Sequence, residues 1–476
     1  MNMSFIKDFS KISGSSFVNF FIGLFSTPLI TRMVSPEQYG NWALFCVYSN
    51  VLSTILLLGS DHIIVRYYYK FEDKASRSQF VCWAFRISIL SVIVTCLPII
   101  VSLCYIRPNW DWFILCILVV SVLINAFNRL SSLLLRFENK INALAITTVI
   151  QKTTFITIAI VALLYFTDYG FELLSIATLL STCLSVIISL YCVRYLFYLD
   201  GSLMECYLPK REMLKYGLPL MLSGCAYILF QTTDKLIIGN YCSEADLGVY
   251  SSVASFLSLF AIMQGAFTTV WWPLVMKNYE ASPNDKSLYI KANDIICFVL
   301  VMVGLTFILF KDLIILLLGE SYRNAVVILP FIVFQPILYT ISETTVVGLN
   351  FKKRSKAQLC ITFFSLAFNI IVCIFLTKKI GIIGTAISVC LSYIFFMTLR
   401  TIISYYYYKI QYHFLRMYVS IFLLFSFALI QIFLPDTRLS CLLVIICYFI
   451  LSIMYKDVIK SIINKLTAKW LGEKYH

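Results

Sequence analysis

Apolar runs of about twenty residues recur along the whole 476-residue chain, and this recurrence constrains the fold more than any single motif. A helix of that length crosses the hydrocarbon core of a bilayer. About fourteen such runs can be marked: 13–33, 42–64, 81–106, 112–134, 143–165, 171–192, 216–239, 247–272, 294–318, 325–350, 357–377, 382–404, 415–434 and 438–455. The connections are short, and neither of the longest, 193–215 and 273–293, holds a soluble domain. Only 13% of the residues are charged, against about 25% in soluble domains. The chain is therefore read as an all-α, polytopic membrane protein with about 14 transmembrane helices. The 16 cysteines show no metal-binding spacing and most lie inside apolar runs, where they serve as small packing residues.

The formal net charge of +14 would suggest nucleic acid in a soluble protein. Here it follows a membrane pattern, and no nucleic acid is expected. With the N-terminus inside, 27 of the 38 Lys and Arg residues fall on cytoplasmic segments, seven on outer segments and four within spans. That bias puts both termini in the cytoplasm. Lys7 and Lys11 precede the first run, which lacks a convincing cleavage site and reads as a first transmembrane helix.

One phrase occurs twice. LITRMVSPEQYGNW (29–42) and IIGNYCSEADLGVY (237–250) align without a gap at a shift of 208 positions, which puts Ser35 on Ser243, Gly40 on Gly248 and Trp42 on Tyr250. Six spans separate the copies, so both point the same way across the membrane. A parallel repeat of this kind predicts two six-helix lobes, with a substrate site between them. The lobes would be 1–199 and 212–409, joined by a cytoplasmic linker, 200–211. Residues 410–476 would add two further helices and a basic tail. Chance likeness between two helix boundaries is the competing reading.

Charges inside lipid are costly, so each is a functional candidate. Lys152 lies near mid-bilayer in the fifth span with Gln151 beside it. Arg129 lies about five residues from the inner end of the fourth span, Arg86 a similar distance into the third, and Arg66 and Arg136 at inner helix ends. Together they suggest a cationic chamber that receives an anionic headgroup, Arg by its bidentate fork and Lys as a point charge. The alternative is that these cations snorkel to lipid phosphates and anchor helices. Asp61, Asp234 and Glu343 are candidates for coupling to H+ or Na+, unless each simply pairs with a neighbouring helix. Gln151, Gln231 and Gln264 are candidates for contact with sugar hydroxyls, unless they link helices. Pro28 and Pro219 are expected to break the first and seventh spans, Trp271-Trp272-Pro273 to end the eighth, and Pro336 to interrupt the tenth. The histidines form no metal constellation, and no catalytic constellation or Walker A loop is visible. The chain is read as a non-enzyme without a cofactor.

Tyr216-Gly217-Leu218-Pro219 followed by TTDKLIIGNYCSEADLGVYSSVASF resembles the polysaccharide exporter and Wzx-type flippase family of the MOP superfamily. LLLGSDHIIVRYYYKFED (56–73), with Arg66 at the family's arginine, LLLGESYRNAVVILP (316–330) and KKIGIIGTAISVCLSYIFF (378–396) extend the resemblance to roughly residues 10–410. The resemblance implies a multi-pass protein of the bacterial inner membrane. It implies translocation of undecaprenyl-pyrophosphate-linked oligosaccharide units for O-antigen, capsule or exopolysaccharide assembly, by alternating access and with ion coupling. The expected partners are the lipid-linked oligosaccharide, membrane lipids, and a polysaccharide polymerase and chain-length regulator. Three other readings stay open: a peptidoglycan lipid precursor flippase, a drug/cation antiporter of the same superfamily, and a membrane glycan polymerase or ligase.

Overall fold

The computed structural model describes residues 18, 21–70, 74–197, 210–433, 437–460 and 464. Lys7, Lys11, most of the expected linker 200–211 and most of the basic tail lie outside the described residues.

The repeated phrase forms the same local structure twice. Ser35 caps α2 (Pro36–Leu56), its Oγ accepting the Gln38 N–H at 3.3 Å. Ser243 caps α9 (Glu244–Ala254), its Oγ accepting the Asp246 N–H at 3.1 Å while Asp246 Oδ2 accepts the Ser243 N–H at 3.2 Å. A Ser at this position satisfies an amide that the first helical turn leaves unpaired. The two helices then pack against each other. A Cβ on Gly40 would lie 2.0 Å from the Glu244 carbonyl oxygen, and one on Gly248 would lie 1.8 Å from that of Pro36. Shifting one contact by 208 positions generates the other, because 36 maps to 244 and 40 to 248. Reciprocity of this kind is what a two-fold relation between the copies requires.

Contacts divide the chain into two compact units, Met1–Phe256 with Leu318–Tyr322, and Leu257–Leu317 with Arg323–His476. The first contains both copies of the phrase. It holds α1 (Phe21–Thr31), α2, α3 (Ser60–Tyr67), α4 (Lys74–Ile106), α5 (Trp112–Phe137), α6 (Ile141–Tyr165), α7 (Gly170–Cys192), α8 (Lys210–Tyr241) and α9. The segment Leu318–Tyr322 is tied in by Tyr322 Oη, which donates to the Val34 carbonyl at 2.8 Å, and by the Gly319 N–H, which donates to Thr31 Oγ1 at 3.2 Å.

The second unit holds α10 (Ser258–Ala281), α11 (Ser287–Leu309), α12 (Lys311–Ile315), α13 (Leu329–Ile332), α14 (Phe334–Thr345), α15 (Val347–Phe351), α16 (Ser355–Tyr407), α17 (Phe414–Phe433) and α18 (Thr437–Met454). A straight helix of 53 residues would be about 80 Å long, far beyond a bilayer of about 30 Å. Instead α16 folds back at Ile380 and Gly381, where Gly381 takes a φ of +61° that residues with a Cβ rarely adopt. Its two arms are antiparallel and touch along their length. Thr377 and Thr385 hydroxyls are 2.7 Å apart, Ser392 Oγ donates to Asn369 Oδ1 at 3.1 Å, and Phe368 stacks on Phe395 at 4.3 Å. At the open end the Arg354 guanidinium sits 5.0 Å from the Tyr407 ring centroid. Gly381, the first glycine of GIIG, thus sits in the turn between the two arms.

Among the described residues no strand occurs, and seven helices are long and apolar enough to cross a membrane, or up to nine if each bent pair counts as one span. The chain is a multi-pass membrane protein, and length and composition do not reproduce the expected fourteen. The count takes α16 once, although it is two arms. The expected run from 216 to 239 lies within α8, which also carries Lys215, Asp234 and Lys235.

Several boundaries differ from the expected ones. The second span is broken between α2 and α3, which meet at 54° through Leu58 (φ 49°) and Gly59 (φ 77°). The Leu56 carbonyl freed by that break accepts the Ser91 hydroxyl of α4. The expected run 247–272 is likewise split, with a 3-10 turn at Ser255–Leu257 between α9 and α10. Pro219 and Pro273 lie inside α8 and α10, and α10 continues to Ala281. The tenth span bends by 59° ahead of Leu329, and Pro336 falls in the first turn of α14, where a missing N–H costs no helical bond.

Replacing Gly40 or Gly248 by Ala forces the α2–α9 backbones apart. Either variant should lose about 1–3 kcal/mol of stability, read as a lower unfolding temperature of the purified protein in detergent. Gly265→Ala is the control, since nothing lies within 4 Å of its added Cβ, and it should leave the transition unchanged or slightly raised.

Candidate functional site

Two polar stripes face each other inside the first unit. On α2, Asn50, Ser53 and Thr54 follow i, i+3, i+4 spacing, and on α5, Asn125, Asn128, Arg129 and Ser132 follow i, i+3, i+4, i+7. With Ile228 of α8 they line a cleft of about 200 Å³. Asn125 Nδ2 donates to Ser49 Oγ at 2.7 Å, and Ser185 of α7 donates to Asn128 Oδ1 at 3.4 Å. Arg129 Nη2 lies 2.7 Å from Asp61 Oδ2, and its Nη1 donates to Thr54 Oγ1 at 3.3 Å.

The helix break supplies the acid. Gly59 turns the chain, and Asp61 then falls in the first turn of α3, where the helix dipole favours a negative charge. Asp61 is buried, with 7% of its side chain exposed, whereas 38% of the Arg129 side chain is exposed. Arg129 therefore reaches the cleft from a fixed anchor and keeps donors beyond the two it uses there. Irregular backbone at membrane depth is tolerated where it lines a cavity. The cleft is smaller than the roughly 300–1,000 Å³ of a small-molecule pocket, so it fits one anionic group rather than a whole oligosaccharide.

Of the five expected cations, only Arg129 lines this cleft. Arg86 is exposed on α4, Lys152 is exposed on α6, and Arg136 is exposed in the last turn of α5. Arg66 stands 4.3 Å over the Tyr216 ring. Gln151 Nε2 donates to Thr182 Oγ1 at 3.0 Å and so links α6 to α7. Gln231 donates to Tyr227 Oη one turn away at 2.9 Å, and Gln264 is half-buried on α10. Asp234 is buried and accepts from Tyr250 Oη at 2.7 Å, and its other oxygen, Oδ1, is buried without a hydrogen-bond partner among the described residues.

In the second unit Glu343 pairs with Arg400 at 2.8 Å, and Arg400 also donates to Ser342 Oγ at 2.6 Å. Arg400 lies inside α16, within the expected run 382–404. His413 Nδ1 lies 2.8 Å from Asp294 Oδ2. A further cluster escapes the sequence reading: Tyr68 and Tyr195 both donate to Glu138, and Arg77 lies 3.9 Å from it. The stripes at 50–54 and 125–132 were the available signal for the cleft. Among the described residues no group of three or more His, Cys, Asp or Glu is placed to hold a metal ion.

The polysaccharide biosynthesis protein family matches residues 29–327. No curated protein matches the chain by sequence. Solved structures share its fold. The lipid II flippase MurJ in an inward closed conformation aligns with a TM-score of 0.70 at 16% identity, over 94% of this chain and 99% of that one. An inward-facing multidrug resistance MATE family transporter of the MOP superfamily aligns with a TM-score of 0.61 at 15% identity, over 82% and 97%. A MOP superfamily transporter from Pyrococcus furiosus, described by the reversed polarity of its binding pocket, aligns with a TM-score of 0.54 at 16% identity, over 84% and 94%.

The ion pair predicts an asymmetry. Arg129→Ala strands a buried carboxylate and should cost about 3–5 kcal/mol, whereas Asp61→Ala leaves a cation that still reaches the cleft and should cost less. Chemical unfolding of both variants beside Asp61→Asn/Arg129→Gln, which removes both charges and should regain most of the loss, checks the ordering.

Proposed function

The chain belongs to the polysaccharide biosynthesis protein family, and on that premise we propose that it is a flippase for undecaprenyl-pyrophosphate-linked oligosaccharide units. It works in the bacterial inner membrane, with both termini cytoplasmic, and serves O-antigen, capsule or exopolysaccharide assembly. The observation that carries this reading is the Arg129 cleft. A half-exposed guanidinium, anchored by a buried acid and flanked by Asn and Ser side chains, offers charge-assisted donors to pyrophosphate oxygens and neutral partners to whatever adjoins them. The fold shared with a lipid II flippase agrees with a substrate carried on a lipid pyrophosphate.

Alternating access between two lobes would carry the headgroup across while its lipid tail stays in the bilayer. Lys152, Arg86, Arg66 and Arg136 would guide the anion toward or away from the cleft. Asp234 is the strongest candidate for H+ or Na+ coupling, because one of its oxygens is buried without a hydrogen-bond partner among the described residues, whereas Asp61 and Glu343 are held by arginines. A polymerase and a chain-length regulator would take the product at the outer face. The chain would act without enzymatic chemistry or a cofactor of its own.

Transport of the lipid-pyrophosphate oligosaccharide into sealed proteoliposomes tests the reading. Wild type should transport, and Asp61→Asn/Arg129→Gln, folded but uncharged at the cleft, should transport at least about tenfold more slowly. Full transport by that variant would make the cleft structural. A folded wild type that moves no lipid-linked substrate but exports cationic drugs would overturn the reading in favour of an antiporter.

A further inference from the structure

The second unit carries a cavity that this reading does not use. About 440 Å³ lies between α10, α15 and the start of α16. Trp272 and Met276 of α10 supply an apolar wall. Lys353, Arg354 and Ser355 also line it, and no acid is among the lining residues. Four cations, Lys352, Lys353, Arg354 and Lys356, fall within the five positions 352–356.

Three features go beyond a solvated basic loop. First, Arg354 is held in place over the Tyr407 ring at 5.0 Å, so its planar fork is already positioned. Second, α16 begins at Ser355 without a side-chain cap, so the unpaired amides of its first turn add positive potential at the rim. Third, Gln358 Nε2 donates to Asn350 Oδ1 at 2.6 Å, which leaves the Asn350 amide as a neutral donor in the wall. The turn that joins the helices also spends a costly backbone state on a cation. Lys353 has a φ of 51°, in the region that favours Gly, while the Arg354 N–H closes the turn on the Leu349 carbonyl at 2.9 Å. A loop that served only to keep positive charge on one side of the membrane would need none of these.

We propose that this cavity binds a phosphate-bearing group, with the phosphate at Lys353, Arg354 and the start of α16, and the uncharged part of the ligand against Trp272. The phosphate has two sources of the same chemistry: an anionic lipid headgroup at the bilayer surface, or a soluble pyrophosphate or sugar phosphate. The site stands whether or not the chain is a flippase, since it shares no residue with the Arg129 cleft.

The test uses the full chain purified in detergent, in two arms. One titrates inorganic pyrophosphate and reads binding by calorimetry. The other counts phosphatidylglycerol retained from mixed micelles with phosphatidylcholine by native mass spectrometry. Wild type should bind saturably in at least one arm. Lys353→Gln/Arg354→Gln should weaken that binding about tenfold or more, while Lys456→Gln, an exposed cation elsewhere in the unit, should leave it unchanged. The arm that responds identifies the source. Trp272→Leu keeps every charge and should still weaken binding, so it decides the matter if the double variant fails to fold. No saturable binding by wild type, or equal loss in Lys456→Gln and the double variant, overturns the proposal.

Discussion

The close crossing of α2 and α9 is the constraint on which the first unit depends. A helix pair approaches this closely only where neither side has a Cβ, and here each glycine meets the other helix's backbone carbonyl. Each cap fixes where its helix begins and therefore where its glycine falls. Serine, proline or acid, and glycine are spaced alike in both copies, so the register of the crossing follows from three positions in each. Asn41 closes the crossing by donating to Glu244 Oε2 at 2.5 Å and accepting from Trp110 Nε1 at 2.9 Å. Away from the crossing the copies diverge. Trp42 donates to Thr178, whereas its counterpart Tyr250 donates to Asp234.

Polar groups in a lipid solvent set the second constraint. Hydrocarbon gives them no partner, so they find one another or line a cavity. Both outcomes occur. The pairs Asp61–Arg129 and Glu343–Arg400 each bring a buried acid onto an arginine, while Ser and Thr hydroxyls on α5, α7 and α16 return to carbonyls one turn back. At the Arg129 cleft the acid is buried while 38% of the arginine side chain is exposed, so the guanidinium keeps accessible donors beyond the two it uses.

The all-α membrane architecture was legible because run length acts through the bilayer, which treats every segment alike. The likeness of the two phrases was legible because caps and close crossings demand particular residues. The break at Gly59 was not read, since Leu56 to Leu58 continue the apolar run and hydropathy does not report backbone direction. The five cations looked like one chamber because depth along a helix can be counted, while the side of the helix they occupy depends on neighbours. For the same reason Gln151 proved to be a link to Thr182, and Arg400 a partner of Glu343, once the packing was known.

The α16 hairpin carries charge at both extremities. Lys352, Lys353, Arg354 and Lys356 crowd its open end, and Lys378 and Lys379 its tip. The arm from 357 to 377 between them is about 30 Å long, close to the hydrocarbon thickness of a bilayer. Neither set of cations can enter hydrocarbon cheaply, so the hairpin cannot slide along the membrane normal. It acts as a thickness gauge. In a thinner or thicker bilayer it must tilt or deform the surrounding lipid, and the second unit, built around this hairpin, bears that strain. Lipid chain length thereby becomes a physical input to whatever motion the protein undergoes.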